Sequence, residues 1–324
     1  MANIRRKVCS IRLHEKSGRC GTIVQCYDGD TRYKFQYYSD PSASSFVDIE
    51  LQDPVTDFCF GQDLVIFASP RYFRGRSVSP VYVTLEDGRE GTLMRCLNVQ
   101  NFPQSDALRV EMTCNADKML AFGHRNGEVS FLDLRQSRSV CSILQHIDKD
   151  SSSHLGSATD FTFLPNNKQV LVKRSFGSCQ LHDVRKTSSV ASTSLIYNLT
   201  VPFGKSLSTR SATCNGLVVD PTNHQTLITP YIDDNYEACL GLWSLQSGIF
   251  VGNKSLGPNP EKEATFVELC QKTTASFGLK GSIFGCDDYT SSSFGVWLKC
   301  GRFSYNQSPK CSSLHHLSFP GSYD

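Results

Sequence analysis

Two segments of the sequence end in an aspartate that is followed two positions later by an arginine: Asp133 with Arg135, and Asp183 with Arg185. A carboxylate can accept hydrogen bonds from turn amides, and a guanidinium offers five donors in a planar fork. Such a pair can order a turn and present a docking group to a partner. The two aspartates lie fifty positions apart (183 − 133). This recurrence predicts two copies of one structural unit.

Patterns that carry catalysis or bind metals are missing from the sequence. It contains no Gly-x-Ser-x-Gly nucleophile elbow, no phosphate-binding GxxxxGK[ST] and no dinucleotide-binding GxGxxG. The histidines show no His-Glu-x-x-His spacing, and the 14 cysteines include no Cys-x-x-Cys pair, which structural zinc sites favour. We therefore expect a protein that is not an enzyme and that carries no metal and no cofactor.

Composition limits the class of protein and its partners. The 324 residues are 39% hydrophobic and 20% charged, which is typical of a soluble globular chain, and the net charge of +2 does not favour nucleic acid as a partner. No apolar run is long enough for a signal peptide or a membrane span. We expect an intracellular protein of the nucleus, the cytoplasm or both, without a membrane partner, and cysteines that act as small buried hydrophobes.

Strand patterns extend along the whole chain, whereas helical periodicity is almost absent. Three segments read as hairpins around turn residues: Gly21 to Tyr38, Val81 to Val99, and Phe161 to Val184. Short strands and turns at this spacing predict an all-β protein.

A third segment ends like the first two, in Trp243-Ser244. Leu132, His182 and Trp243 then share one position of the repeat, and a buried packing role is expected there. In the first two copies a glycine, Gly127 or Gly177, precedes the aspartate by six residues. Independent hairpins would not be expected to share this register.

These endings resemble WD40 repeats, in which units of about 40 to 45 residues form four-stranded propeller blades whose third strand closes on Trp-Asp. The resemblance implies a β-propeller of six or seven four-stranded blades, with residues 1–310 as a single domain, the clearest repeat signal at about 118–306, and a polar tail at 311–324. It also leads us to expect that an N-terminal strand near Ile4 to Leu13 completes the last blade.

The segments GHRNGEVSFLDLRQ, FLPNNKQVLVKRSFGSCQLHDVRK and LWSLQSG, with the closing SSSFGVWLKCGRFSYN, are similar to the WD-repeat protein 21 type of substrate receptor. Such receptors serve cullin-4 RING ubiquitin ligases. The resemblance implies that Asp133, Arg135, Asp183 and Arg185 dock on the ligase's adaptor, a triple propeller of the damaged-DNA-binding protein 1 type. Another face would hold an unknown protein substrate. Ser244, with Gln246 two positions on, departs from the pattern.

Other interpretations remain open. Each arginine could pair locally and stabilise its turn, in which case the chain would be a general WD40 scaffold. A third class is a propeller that binds nucleic acid or histones. The aromatic run Tyr33 to Tyr38 could stack on bases, or form a blade core through its alternate residues. The segment RYFRGR, Arg71 to Arg76, could grip acidic groups of a partner or be a solvated loop.

Overall fold

The computed structural model describes residues 5–14, 19–27, 31–38, 47–61, 64–74, 76–77, 80–84, 94–96, 102–112, 119–134, 140–143, 156–166, 168–175, 179–186, 194–199, 213–220, 225–232, 238–255, 266–273, 294–303 and 309–319. Within these residues the chain is all-β, with six four-stranded sheets, one two-stranded hairpin and one 3-10 turn. Two compact units divide the chain: residues 1–145 with 187–191, and residues 146–186 with 192–324. Each unit holds three of the described four-stranded sheets.

The first unit contains sheets 1, 2 and 3. Sheet 1 is a meander of β1 (Arg5–His14), β2 (Arg19–Tyr27), β3 (Thr31–Tyr38) and β4 (Val47–Leu51). Sheet 2 contains β5 (Asp57–Phe60), β6 (Leu64–Ala68), β9 (Val81–Thr84) and β10 (Met94–Cys96), and the small hairpin of β7 (Tyr72–Phe73) and β8 (Arg76–Ser77) interrupts it. Sheet 3 is a meander of β11 (Ala107–Met112), β12 (Met119–His124), β13 (Val129–Asp133) and β14 (Val140–Ile143).

The second unit contains sheets 4, 5 and 6. Sheet 4 is a meander of β15 (Ala158–Phe163), β16 (Gln169–Arg174), β17 (Cys179–Asp183) and β18 (Leu195–Leu199), with the 3-10 turn Val184–Lys186 after β17. Sheet 5 is a meander of β20 (Val218–Val219), β21 (Thr226–Ile232), β22 (Ala238–Ser244) and β23 (Phe250–Ser255). Sheet 6 joins β19 (Thr213–Asn215), in parallel, to β24 (Phe266–Thr273), followed by β25 (Phe294–Phe303) and β26 (Pro309–Phe319).

Both faces of sheet 2 are buried, one against sheet 1 and the other against sheet 3. One strand can serve both cores because its successive side chains point to opposite faces. Phe58 and Phe60 of β5 pack against sheet 1, where Phe35 is fully buried with its ring centroid 5.0 Å from that of Phe58. Cys59 of β5 and Ile66 of β6 pack instead in the core shared with sheet 3. The first unit is therefore a face-to-face series of sheets 1, 2 and 3.

Sheets 4 and 5 share a core in the second unit. Leu171 and Leu181 of sheet 4 pack in one cluster with Leu227, Tyr231 and Trp243 of sheet 5. All five side chains are almost completely buried. Burial of a large apolar side chain contributes about 1.5–3 kcal/mol, so this core stabilises the pairing of sheets 4 and 5.

Two aspartates connect consecutive sheets through backbone hydrogen bonds. Asp57 begins β5, and its Oδ2 accepts the N–H of Val110 on β11, in the next sheet, at 3.0 Å. Asp160 lies on β15, and its Oδ2 accepts the N–H of Leu217, just before β20, also at 3.0 Å. Each buried carboxylate thus satisfies an amide that would otherwise lose its hydrogen bond on burial.

The all-β prediction is confirmed, and all three predicted hairpins are antiparallel pairs in the structure. The alternate residues of the Tyr33 to Tyr38 run form core, because Phe35 and Tyr37 are buried and Tyr33 packs against them. The expected role of residues 4–13 in the last sheet is wrong: β1 pairs with β2, which follows after only four residues, so local closure costs little entropy.

The C-terminal segment also differs from the tail that we expected. Residues 311–319 belong to β26, which pairs with β25 over its whole length. A strand needs backbone partners and extended dihedral angles, and polar side chains are compatible with both. The extent of a single domain over residues 1–310 stays a prediction.

Candidate docking site

The three repeated endings occupy equivalent positions in three sheets. Asp133 is the last residue of β13, Asp183 of β17 and Ser244 of β22. Each of these strands is the third in its antiparallel meander. The turn that follows each ending therefore leads into the fourth strand of its sheet.

Asp183 and Arg185 form a closed pair at the second ending. Oδ1 of Asp183 accepts the backbone N–H and the Nε–H of Arg185, each at 3.0 Å, and Oδ2 accepts from the Nη2 group at 2.8 Å. The Asp183 side chain is only 8% exposed, whereas that of Arg185 is 62% exposed. The carboxylate thus orders the 3-10 turn and fixes the direction of an exposed guanidinium.

This geometry determines the charge of the pair. The side-chain hydrogen bonds from Arg185 hold the pKa of the Asp183 carboxyl at about 2, well below its ordinary value. The same hydrogen bonds raise the pKa of Arg185. Two of the five guanidinium N–H groups point at Asp183, and among the described residues the other three have no acceptor. The pair therefore stays ionised at neutral pH and keeps donors for a partner.

The third ending orders its turn without a cation. The Ser244 carbonyl accepts the N–H of Gly248 at 2.8 Å, and its Oγ lies 3.4 Å from the N–H of Ser247. Gly248 has a φ of +72°, which glycine adopts without the steric cost of a Cβ. The exposed residue at the position of Arg185 is Gln246, whose carbonyl accepts the hydroxyl of Tyr197 at 3.1 Å.

The residues before these endings are buried. Leu132, His182 and Trp243 are 3%, 0% and 1% exposed, as expected for a shared packing position. Nδ1 of His182 lies 3.2 Å from the Ser194 hydroxyl, and the Trp243 ring packs against Phe250 with centroids 5.1 Å apart. All three side chains are buried in the interior.

The remaining predicted positions are only partly described. Gly127 lies in the turn between β12 and β13 with a φ of +87°, a conformation that favours glycine, and its N–H donates to the carbonyl of His124. Asp133 is half-buried. Arg135 and Gly177 lie outside the described residues, so the structure does not describe the first arginine of the predicted pair.

Two histidines, His124 and His182, and four cysteines, Cys26, Cys59, Cys179 and Cys239, are buried, whereas Cys20 is half-buried. His124 is fully buried and hydrogen-bonds to Ser130, and burial lowers its pKa to about 4. The Cys179 thiol is buried as well, and desolvation raises its pKa to about 12, so the reactive thiolate is suppressed. Within the described ranges no group of three or more His, Cys, Asp or Glu side chains could hold a metal ion.

Sequence reasoning missed the carboxylates that connect the sheets. Asp57 and Asp160 occupy the same place in two short repeats, TDFCF and TDFTF, 103 positions apart (160 − 57). The repeat itself was the available signal. This repeat does not stand out in the sequence, because the Phe-x-Phe after each aspartate is the alternation expected of any strand.

No protein-family model matches the chain, and the search of curated proteins found no significantly similar sequence. No helix among the described residues has the length and apolar character needed to cross a membrane.

Proposed function

We propose that this chain is an intracellular, non-enzymatic WD40-type β-propeller that connects protein substrates to a cullin-4 RING ubiquitin ligase. In this proposal the Arg135 and Arg185 endings bind the adaptor of the damaged-DNA-binding protein 1 type. Ubiquitin transfer is carried out by the ligase and its conjugating enzyme, and this chain contributes proximity and orientation.

The Asp183–Arg185 pair is the observation that carries this proposal. An arginine that is exposed and already held in one direction loses little conformational entropy on binding, and arginines of this kind are frequent hot spots of protein interfaces. Support for a propeller comes from the described four-stranded meanders that pack face to face and from their shared third-strand endings. Both supports agree with the resemblance in the sequence.

The same pair also favours an alternative function, a general WD40 scaffold with no ligase partner. Asp183 accepts three hydrogen bonds from Arg185, which would be sufficient to stabilise the turn between β17 and β18. Under this alternative the arginine is a turn device, and its loss would change stability and leave adaptor binding unchanged.

The test is capture of the purified adaptor by the wild-type chain and by variants, with thermal melts of each protein. Arg185→Ala and Arg135→Ala remove the two arginines singly and together, and Arg185→Lys keeps the charge without the planar fork. Arg32→Ala is the matched control, because Arg32 is an exposed arginine 3.8 Å from Glu50 in a surface ion pair.

We expect each docking variant to weaken adaptor binding about tenfold or more, and the control to bind like the wild type. The Arg185 variants lose the hydrogen bonds to Asp183 and should melt below the wild type, so capture is compared at a temperature at which every variant is folded. A wild-type chain that does not capture the adaptor would refute the ligase function. Equal capture by the double variant would favour the general scaffold.

A further inference from the structure

The small hairpin of β7 and β8 presents a basic and aromatic surface in the first unit. Arg74 follows β7 and has a φ of +49°. Among the described residues it is the one non-glycine residue with positive φ. A left-handed conformation costs an ordinary residue about 1 kcal/mol or more, and such strain is found preferentially at functional sites.

Asp106 anchors this hairpin to the turn between β12 and β13. Its Oδ1 accepts the backbone N–H of Arg71 at 2.8 Å, and its Oδ2 lies 2.9 Å from Nε of Arg125. The Asp106 carbonyl also accepts the backbone N–H of Arg125. One carboxylate thus fixes the positions of two arginines on different loops.

In the part of the chain that the structure describes, the Arg71 guanidinium contacts a neutral amide and an aromatic ring. Its Nη2 donates to the neutral Gln104 amide oxygen at 3.1 Å, and its guanidinium carbon lies 5.5 Å from the ring centroid of Tyr72. No carboxylate of the described residues pairs with its guanidinium, and its buried Nε has no hydrogen-bond partner there. The Tyr72 side chain beside it is 61% exposed.

From these observations we propose that Arg71 and Tyr72, flanked by Arg74 and Arg125, form a docking surface for an acidic peptide segment of a partner protein. A glutamate or aspartate of the peptide would pair with the Arg71 guanidinium, and an adjacent side chain would pack on the Tyr72 ring. Arginine and tyrosine are enriched in interface hot spots, and stacking and hydrogen bonds already hold the Arg71 side chain. The proposal does not depend on the Asp-x-Arg endings.

A peptide fits this surface better than a nucleic acid. Single-stranded nucleic acids bind along basic grooves with successive aromatic platforms, whereas Tyr72 is a single exposed ring. Two carboxylates lie on the segments that form this surface: Asp106, which pairs with Arg125, and Glu128, which accepts a hydrogen bond from the Asn126 side-chain amide. Their negative charges would repel a chain of phosphates. A short peptide can place one carboxylate at Arg71 and avoid both.

The test measures binding of a labelled peptide rich in glutamate and leucine, of its glutamine counterpart and of an oligothymidine, by fluorescence anisotropy. The full chain is used as wild type and as Arg71→Ala, Arg71→Lys and Tyr72→Ala, with Arg32→Ala as the control for an exposed arginine elsewhere. Thermal melts report folding. Tyr72→Ala removes a ring that is mostly exposed, so it tests the surface even if Arg71→Ala impairs folding.

We expect the glutamate peptide to bind and the glutamine peptide to bind at least tenfold more weakly. Arg71→Ala and Tyr72→Ala should each weaken binding about tenfold, Arg71→Lys should recover part of it, and 300 mM salt should weaken it further. The proposal would be overturned if the glutamate peptide did not bind, or if the glutamine peptide bound equally well. It would also be overturned if the oligothymidine bound more tightly, or if folded Arg71→Ala and Tyr72→Ala bound like the wild type. Adaptor capture should be the same for Arg71→Ala and the wild type, so this failure is distinct from failure of the ligase function.

Discussion

The carboxylate of Asp160, on the first strand of sheet 4, accepts the backbone N–H of Leu217 at the start of sheet 5. Its other oxygen accepts the N–H of Phe161 at 3.0 Å. Asp57 makes the corresponding link from sheet 2 to Val110 of sheet 3 and lies 3.6 Å from Nε of Arg109. One local sequence, Thr-Asp-Phe, therefore produces the same connection between sheets in both units.

Removal of either link should destabilise the protein. In Asp160→Ala the buried N–H of Leu217 loses its acceptor, and an unsatisfied buried donor costs about 1–3 kcal/mol. We expect a loss of that size in the free energy of unfolding, measured by urea denaturation followed by circular dichroism. Asp48→Ala is the control, because Asp48 is 40% exposed in a surface ion pair with Lys34 and should change stability by less than about 0.5 kcal/mol. Equal effects of the two changes would contradict this role.

Two glycines of sheet 5 offer a comparison of crowded and open positions. A Cβ on Gly241 would clash with the Trp243 ring, whereas a Cβ on Gly252 would meet nothing within 4 Å. Gly241→Ala should force the buried tryptophan to move, at a cost of about 1–3 kcal/mol, and Gly252→Ala should be neutral or slightly stabilising. Denaturation midpoints and the tryptophan emission maximum would measure both effects. A stable Gly241→Ala protein with unchanged emission would be the contrary result.

His124 should make stability depend on pH. Burial lowers its folded-state pKa to about 4 from an ordinary value near 6.5, so the unfolded chain binds the proton first. The contribution is complete above about pH 6.5 and is lost as pH falls toward 4, by roughly 3 kcal/mol in total. Urea denaturation at several pH values should show this loss for the wild type and a smaller one for His124→Gln. Parallel pH profiles of the two proteins would argue against the assignment.

Titration of Asp183 tests the pair with Arg185. The folded-state pKa of Asp183 is depressed to about 2, so the stabilisation is present above the unfolded value near 4 and is lost as pH falls from 4 to 2. NMR titration of the labelled carboxyl group should give this low value in the wild type and a higher one in Arg185→Ala. An unchanged pKa in the variant would show that Arg185 does not pair with Asp183 in solution.

Local patterns were sufficient to predict much of the fold. Strand and turn signals located hairpins such as that of Gly21 to Tyr38, and the shared register of Asp133, Asp183 and Ser244 located three third strands. These features depend on residues that are close in sequence. The two-residue spacing of Asp183 and Arg185 is local in the same sense, which is why a pattern could point to that turn.

Contacts over long separations could not be predicted in the same way. The partner of Asp160 is a backbone amide 57 residues away, and every non-proline residue carries such an amide, so no side-chain pattern marks it. The segment RYFRGR was visible as basic and aromatic, but its anchor, Asp106, lies 35 residues from Arg71. The sequence therefore suggested a partner surface without showing what holds it in place.

The links between sheets also have a consequence for synthesis of the chain. Asp57 leaves the ribosome 53 residues before Val110, and Asp160 leaves 57 residues before Leu217. At a synthesis rate of about 5–20 residues per second, roughly 3–10 seconds pass between synthesis of each carboxylate and synthesis of the amide that it will bind. During that interval sheet 2 or sheet 4 has one face without its neighbour. Nascent chains that stall in these two windows should be the ones most in need of chaperones.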